Sequence, residues 1–234
     1  MIAIFKKEMS SYFNSIIGYI FIAVLYLFSG IFFWATSLFS DSASLNGVFA
    51  NLLMITVFLM PILTMRLISE EKRAKTDQAL FTAPIGSWSI VIGKYFSALA
   101  VYAIGIGITL VYGLMIAFYT VPNWIEIIGN FVGLFLVGAA LIAVGIFLSS
   151  LTESQVVSAI SSYAVSLLIL LTDGLAGFFN DKILHETISY FSFSKHYKSF
   201  TLGLINIADI VFFLSVCLLF LFLTTRVLEK KRWK

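Results

Sequence analysis

Six stretches of this chain, roughly 16–39, 48–67, 88–119, 125–150, 155–178 and 207–228, stay apolar for about 20 residues or more. That length decides the fold class. An apolar run of about 20 residues, rising 1.5 Å per residue as a helix, crosses the hydrocarbon of a bilayer. It is too long for a soluble core. Inside hydrocarbon every backbone N–H and C=O must be satisfied within the segment, so each run reads as a helix. The composition agrees, with 60% apolar and 12% charged residues where soluble domains carry about 25% charged. In 234 residues, six spans and short loops leave no room for a separate soluble domain. The expectation is an all-α polytopic membrane protein, one transmembrane domain over residues 1–234.

Lys6 and Lys7 before the first run, and Ser42, Ala43 and Ser44 after it, outline a signal peptide. At about 24 residues the run exceeds an h-region of about 7–15, so it reads as a retained span. Basic residues set the orientation. With the N-terminus inside, twelve Lys and Arg fall on the cytosolic side, and only Lys182, Lys195 and Lys198 fall outside. Both termini are therefore expected to be cytosolic. Trp34, Trp88, Trp124 and Trp233 fall near span ends, as an aromatic belt requires. The basic residues cluster at membrane boundaries, which gives nucleic-acid binding no support. Cys217 is the only cysteine, so no disulfide forms within the chain.

Two segments are expected to lie along the membrane. Before the first span, Ile2, Phe5, Met9, Tyr12, Phe13 and Ile16 recur at helical spacing opposite Lys6, Lys7 and Ser10, the pattern of an interfacial helix. Between spans five and six, residues 179–206 mix apolar side chains with charges. They read as short helices in the outer leaflet. The densest internal charge cluster runs from Ser69 to Pro84. Ser69 suits a helix cap, Glu70 and Glu71 its first turn, Leu80, Phe81 and Ala83 an apolar end, and Pro84 a stop. One reading is a solvated loop helix obeying the positive-inside rule. The other is a lever moved by a soluble partner.

This segment resembles that of the ABC-2 type permeases of ATP-binding-cassette transporters, most closely the gliding-motility-type subunits. Their general pattern is Glu-Lys/Arg-x-x-Gly-Thr-x-Glu-x-Leu-Leu-x-x-Pro, then Gly-Lys at the start of the third span. Glu71, Lys72, Thr76, Leu80 and Pro84 match, as do Gly93 and Lys94. Lys75 replaces the usual Gly and Gln78 the usual Glu. The resemblance extends to Phe5–Phe13, Gly18-Tyr19 and Gly30, and to His196, Ser199-Phe200, Gly203, Ile205, Asp209 and Phe220–Thr224. It implies a half-transporter that pairs with a second permease copy, as a homodimer or related heterodimer. A short coupling helix would sit in a groove of a separate cytosolic ATPase subunit. The residues implied in ATPase coupling are Glu70, Glu71, Lys72, Arg73, Thr76, Leu80 and Phe81. No Gly-x-x-x-x-Gly-Lys-Ser/Thr loop is present, so ATP and Mg would bind the partner, and this chain would carry no cofactor and no catalytic residue. The implied function is a permease subunit of an ABC exporter in the cytoplasmic membrane. The alternative is a non-transporting anchor or assembly subunit of a surface or secretion machinery.

Other patterns weigh less. Glu70-Glu71 near Arg73 lacks the His partners of an intramembrane protease. His185 and His196 have no Cys or Glu at ligand spacing, and the offsets of Met54, Met60 and Met65 share no face. Ser158, Ser162 and Ser166 recur every four residues on span five, with Ser154 before them. This stripe fits close helix packing or part of a substrate route. Gly129, Gly133 and Ala140 form a small-residue packing face on span four. Asp173 and Asp209 sit at interface depth within reach of water.

Overall fold

The structure, a computed structural model, describes residues 1–39, 44–76, 86–176 and 192–232. All regular structure among them is helical. Six helical stretches are long and apolar enough to cross a membrane: Ile16–Leu38, Asn46–Arg73, Ser87–Ala117, Trp124–Leu151, Gln155–Thr172 and Ile207–Lys231. They coincide with the six expected spans. We label the helices α1 (Ile2–Asn14), α2 (Ile16–Phe33), α3 (Asn46–Thr64), α4 (Ser69–Arg73), α5 (Ser87–Ile106), α6 (Ile108–Ala117), α7 (Trp124–Leu151), α8 (Gln155–Ala176), α9 (Phe193–Thr201) and α10 (Ile207–Arg232). An even number of spans returns the chain to its starting side, here called the termini face.

The third span breaks at Gly107 between α5 and α6. A Cβ there would stand 3.2 Å from the Ala103 carbonyl oxygen. Beside the break, the Tyr26 hydroxyl of α2 donates to the Ile104 carbonyl at 3.1 Å. The first span widens at its far end into a π-turn over Trp34–Leu38.

The hub is α7. Of its most apolar stretch 67% is buried, against 17% for α8. It packs on α10, α3, α9, α5 and α8. Glycines on α7 receive a neighbour on different faces. A Cβ on Gly138 would lie 2.1 Å from the Tyr102 ring, and one on Gly145 2.2 Å from Thr64 Oγ1. Without hydrophobic attraction between helices in lipid, such close fits carry much of the association.

The expected small-residue face of span four is occupied. Phe200 of α9, fully buried, lies across Gly129 and Gly133, where a Cβ on Gly133 would come within 2.7 Å of it. Helix α9 is a short far-face helix between spans five and six, and residues 179–191 of that segment, including His185, lie outside the described residues. Tyr197 donates to Asn130 Oδ1 at 3.3 Å, and Asn130 donates to Asn46 Oδ1 at 2.9 Å. His196 Nδ1 meets Asp209 Oδ1 at 2.5 Å and stacks on Phe212. Asp209, expected to reach water, is therefore buried. The reason is that α9 folds over the start of α10 and supplies the imidazole.

Candidate functional site: an ionic cluster behind the charged loop

Helix α1 lies against α5 at the termini face. Its apolar periodicity turns Ile2, Phe5, Met9, Tyr12, Phe13 and Ile16 to one side; of these Tyr12 is buried and Met9 and Phe13 are half-buried against the core, yet the fully buried residues are Ile4, Glu8 and Tyr12. These share a face by their spacing of four. The helix is thus rotated by about a quarter turn from the orientation that would bury its apolar side, at 3.6 residues per turn. The cause is a charge: Glu8 turns inward to meet Lys94.

Lys94 stands in the first turns of α5 and is 1% exposed. Its ammonium donates to Glu8 Oε1 at 2.8 Å and to the Leu67 carbonyl at 2.6 Å, and stands 2.9 Å from Glu71 Oε2. Two hydrogen bonds and an ion pair thus surround the ammonium with acceptors, as a buried charge requires. Lys7 reaches the other Glu71 oxygen at 2.8 Å and lies 3.9 Å from Glu8. Two ammoniums and two carboxylates alternate around a closed, neutral ring. Partial burial lowers the Lys7 pKa, but the hydrogen bond and charge of Glu71, with the charge of Glu8, outweigh it and hold the pKa above the usual lysine value. A raised lysine pKa keeps its stabilising contribution through the neutral range, and loses it only as pH climbs past that value.

Around the ring, three elements are fastened to the end of span two. Arg66 donates to the Ser11 carbonyl at 3.2 Å and lies over the Tyr12 ring at 4.9 Å. The Tyr12 hydroxyl donates to the Leu63 carbonyl at 2.9 Å. On the opposite side, Ser149 of α7 accepts from the Ile68 and Ser69 N–H groups at 3.2 and 3.1 Å, and donates to the Met65 carbonyl at 3.0 Å. Lys72 donates to the Ser150 carbonyl. The root of the charged loop is thus held by α1, α5 and α7 together.

The loop differs from its sequence reading. Ser69 does not cap α4; its hydroxyl donates back to the Met65 carbonyl, and Ile68 occupies the cap position. Of the helix expected over 69–84, α4 runs from Ser69 to Arg73 and a turn follows over 74–76, while residues 77–84 lie outside the described residues. Lys75 adopts φ +54°, its N–H donates to the Lys72 carbonyl at 3.2 Å, and the Thr76 N–H donates to the Glu71 carbonyl at 3.0 Å. This pair of bonds is the Schellman stop, which favours glycine in its left-handed position. Lys75 stands where the resembling sequences carry glycine. Lys75→Gly should remove a left-handed penalty of about 1–2 kcal/mol at the cost of some chain entropy. A gain of about 0.5–1 kcal/mol in thermal unfolding is expected.

The structure divides the coupling candidates. Glu71 and Lys72 point into the protein, whereas Glu70, Arg73 and Thr76 are exposed. Leu80 and Phe81 lie outside the described residues. Sequence reasoning marked Lys94 through its Gly-Lys match but missed Glu8, Lys7, Arg66 and Ser149 as partners. The available signal was a lone lysine beside a long apolar run, which needs a counter-charge.

The serine stripe is also buried. Ser158, Ser162 and Ser166 are 0%, 2% and 5% exposed, on a helix that packs against α3 and α7. The Ser158 and Ser162 hydroxyls have no hydrogen-bond partner among the described residues. The seam they line is closed.

Residues 2–233 match the family model described as ABC-2 family transporter protein. No individually curated protein matches the chain. With six helices suited to span a membrane and a match over nearly its whole length, the chain belongs to the ABC-2 transporter family, as a multi-pass membrane component.

Proposed function

We propose that this chain is the permease subunit of an ABC exporter in the cytoplasmic membrane, working as a pair and driven by separate ATPase subunits that bind ATP and Mg. Both termini, and the loop rooted at α4, face the cytosol in this reading. The observation that carries it is the ionic ring: Glu71 of the loop shares Lys94 with Glu8, so a push on α4 bears at once on α1 and the third span. Buried elements with two discrete packings transmit such pushes as rigid-body shifts. Within the loop we propose that the inward-pointing Glu71 and Lys72 hold it to the membrane domain, and that the exposed Glu70, Arg73 and Thr76, with Leu80 and Phe81, meet the ATPase.

Leu80→Asp tests this directly. Burying one such side chain in a groove contributes about 1.5–3 kcal/mol, so its loss weakens a transient docking by an order of magnitude or more. Co-purified ATPase and transport-coupled hydrolysis should both fall while the permease still inserts. Wild-type levels of both would leave the anchor or assembly reading standing.

The serine stripe is proposed to line part of the route when α8 parts from α3. Ser162→Ala removes a buried hydroxyl that has no partner here, which is neutral or stabilising for packing. Transport should fall while the thermal midpoint holds or rises. Unchanged transport would leave the stripe a packing device alone.

A further inference from the structure

The rotation of α1 has a second result. At the start of the helix the exposed Ile2 and the half-buried Phe5 of its apolar side roof a groove of about 570 Å³. The floor is α5, where Phe96, Ala100 and Ala103 face the groove, and Phe135 of α7 closes the back. Gly93 is the crossing point, where a Cβ would stand 3.0 Å from Ile4. The lining is almost wholly apolar and the groove is open at its side. Ile2 is 69% and Phe96 46% exposed in the single chain.

Length and depth select the occupant. The groove begins at Gly93, next to the ionic ring, and four charged groups gathered there belong at the edge of the hydrocarbon rather than within it. It ends at Ala103. Ten residues of helix span about 15 Å at 1.5 Å per residue, which is half of a hydrocarbon core about 30 Å thick. This is the depth of one leaflet, and so the reach of one acyl chain. Charge selects the headgroup. Lys6 stands one helical turn beyond Ile2 and beside Phe5, is exposed, and has no ion-pair partner among the described residues, whereas Lys7 is engaged by Glu71. We propose that the groove is a binding site for an anionic phospholipid of the termini-side leaflet, with one acyl chain along α5 under α1 and the phosphate at Lys6. The site does not depend on transport or on any ATPase.

The test uses the full chain, purified in a maltoside detergent, with phosphatidylglycerol and phosphatidylcholine of identical chains as probes. Native mass spectrometry counts retained lipid, and thermal unfolding gives the shift on addition. Wild type should retain one phosphatidylglycerol in preference to phosphatidylcholine by about fivefold, the preference expected from one lysine at an anionic headgroup. Ala100→Trp fills the groove and should lose both lipids; Ala103→Phe does so with a smaller side chain in case the first variant folds poorly. Lys6→Glu lies on the surface, and should keep chain binding while abolishing the preference. A groove-filling variant that folds and retains lipid like wild type would overturn the site. So would a wild-type protein that retains no lipid, or that holds both lipids equally. A preference that survives Lys6→Glu would overturn the headgroup assignment.

Discussion

Lys94→Met is expected to destabilise the protein by about 3–5 kcal/mol, the usual result of removing one partner from a buried ion pair. Two carboxylates depend on this ammonium, and neither side chain is more than 14% exposed. Methionine fills much the same volume, so the loss reports charge rather than packing. Glu8 keeps only Lys7, at 3.9 Å, and Glu71 keeps Lys7 at 2.8 Å. Lys7→Met should cost no more than about 1 kcal/mol, because its side chain is 56% exposed and the pair is screened. The double variant Glu8→Met with Lys94→Met removes one charge of each sign and leaves Glu71 with Lys7. It should recover much of the loss. Thermal unfolding in detergent at neutral pH measures all of these. A Lys94→Met midpoint equal to wild type at neutral pH would show that the ring is not structural.

Gly138→Ala is the second large effect. Its added Cβ would sit 2.1 Å from Tyr102 Cε1 and 2.5 Å from Cζ. The ring has nowhere to swing, being fully buried with its hydroxyl donating to the Leu134 carbonyl at 2.9 Å. Helix α7 or α5 must shift, and overpacking of this kind costs about 1–3 kcal/mol or more. The upper end is expected, because the hub helix is engaged on several sides. Tyr102→Leu alone should destabilise through a cavity and the loss of the hydroxyl's bond to the Leu134 carbonyl. Combined with Gly138→Ala it should cost less than the two effects added, since each relieves the other. Gly86→Ala, where a Cβ meets nothing within 4 Å, serves as the neutral control. If Gly138→Ala unfolds at the same temperature as that control, α7 and α5 are not locked as described.

The spans were legible because length and hydropathy are local properties and the bilayer imposes both. The packing face at Gly129 and Gly133 was legible for a related reason: small residues at a spacing of four have few other uses in a lipid-embedded helix. Its occupant, Phe200, was not, since nothing local says which bulky residue will arrive. The ionic ring was hidden in the same way. Glu8 and Lys94 are 86 positions apart, and periodicity assigns Glu8 to the polar side of α1. A counter-charge overrode the tendency of α1 to bury its apolar side, and that contest can be judged only once both partners are placed. The shortened α4 was half legible. Lys75 in the glycine position of the pattern already pointed to a left-handed residue, but Ala74, Gln78 and Ala79 favour helix by propensity and masked the stop.

The distance in sequence between Glu8 and Lys94 also sets an order of events during biogenesis. At about 5–20 residues per second, the ribosome needs about 4–17 s to make the 86 residues that separate the acid from its base. For that interval Glu8 has only the exposed Lys7 beside it and no reason to leave water, so α1 waits among the lipid headgroups. Only when the third span enters the bilayer can α1 rotate down and close over it. A nascent chain released before the third span, Ser87–Ala117, is complete should therefore leave α1 open to protease, and one released after it should not.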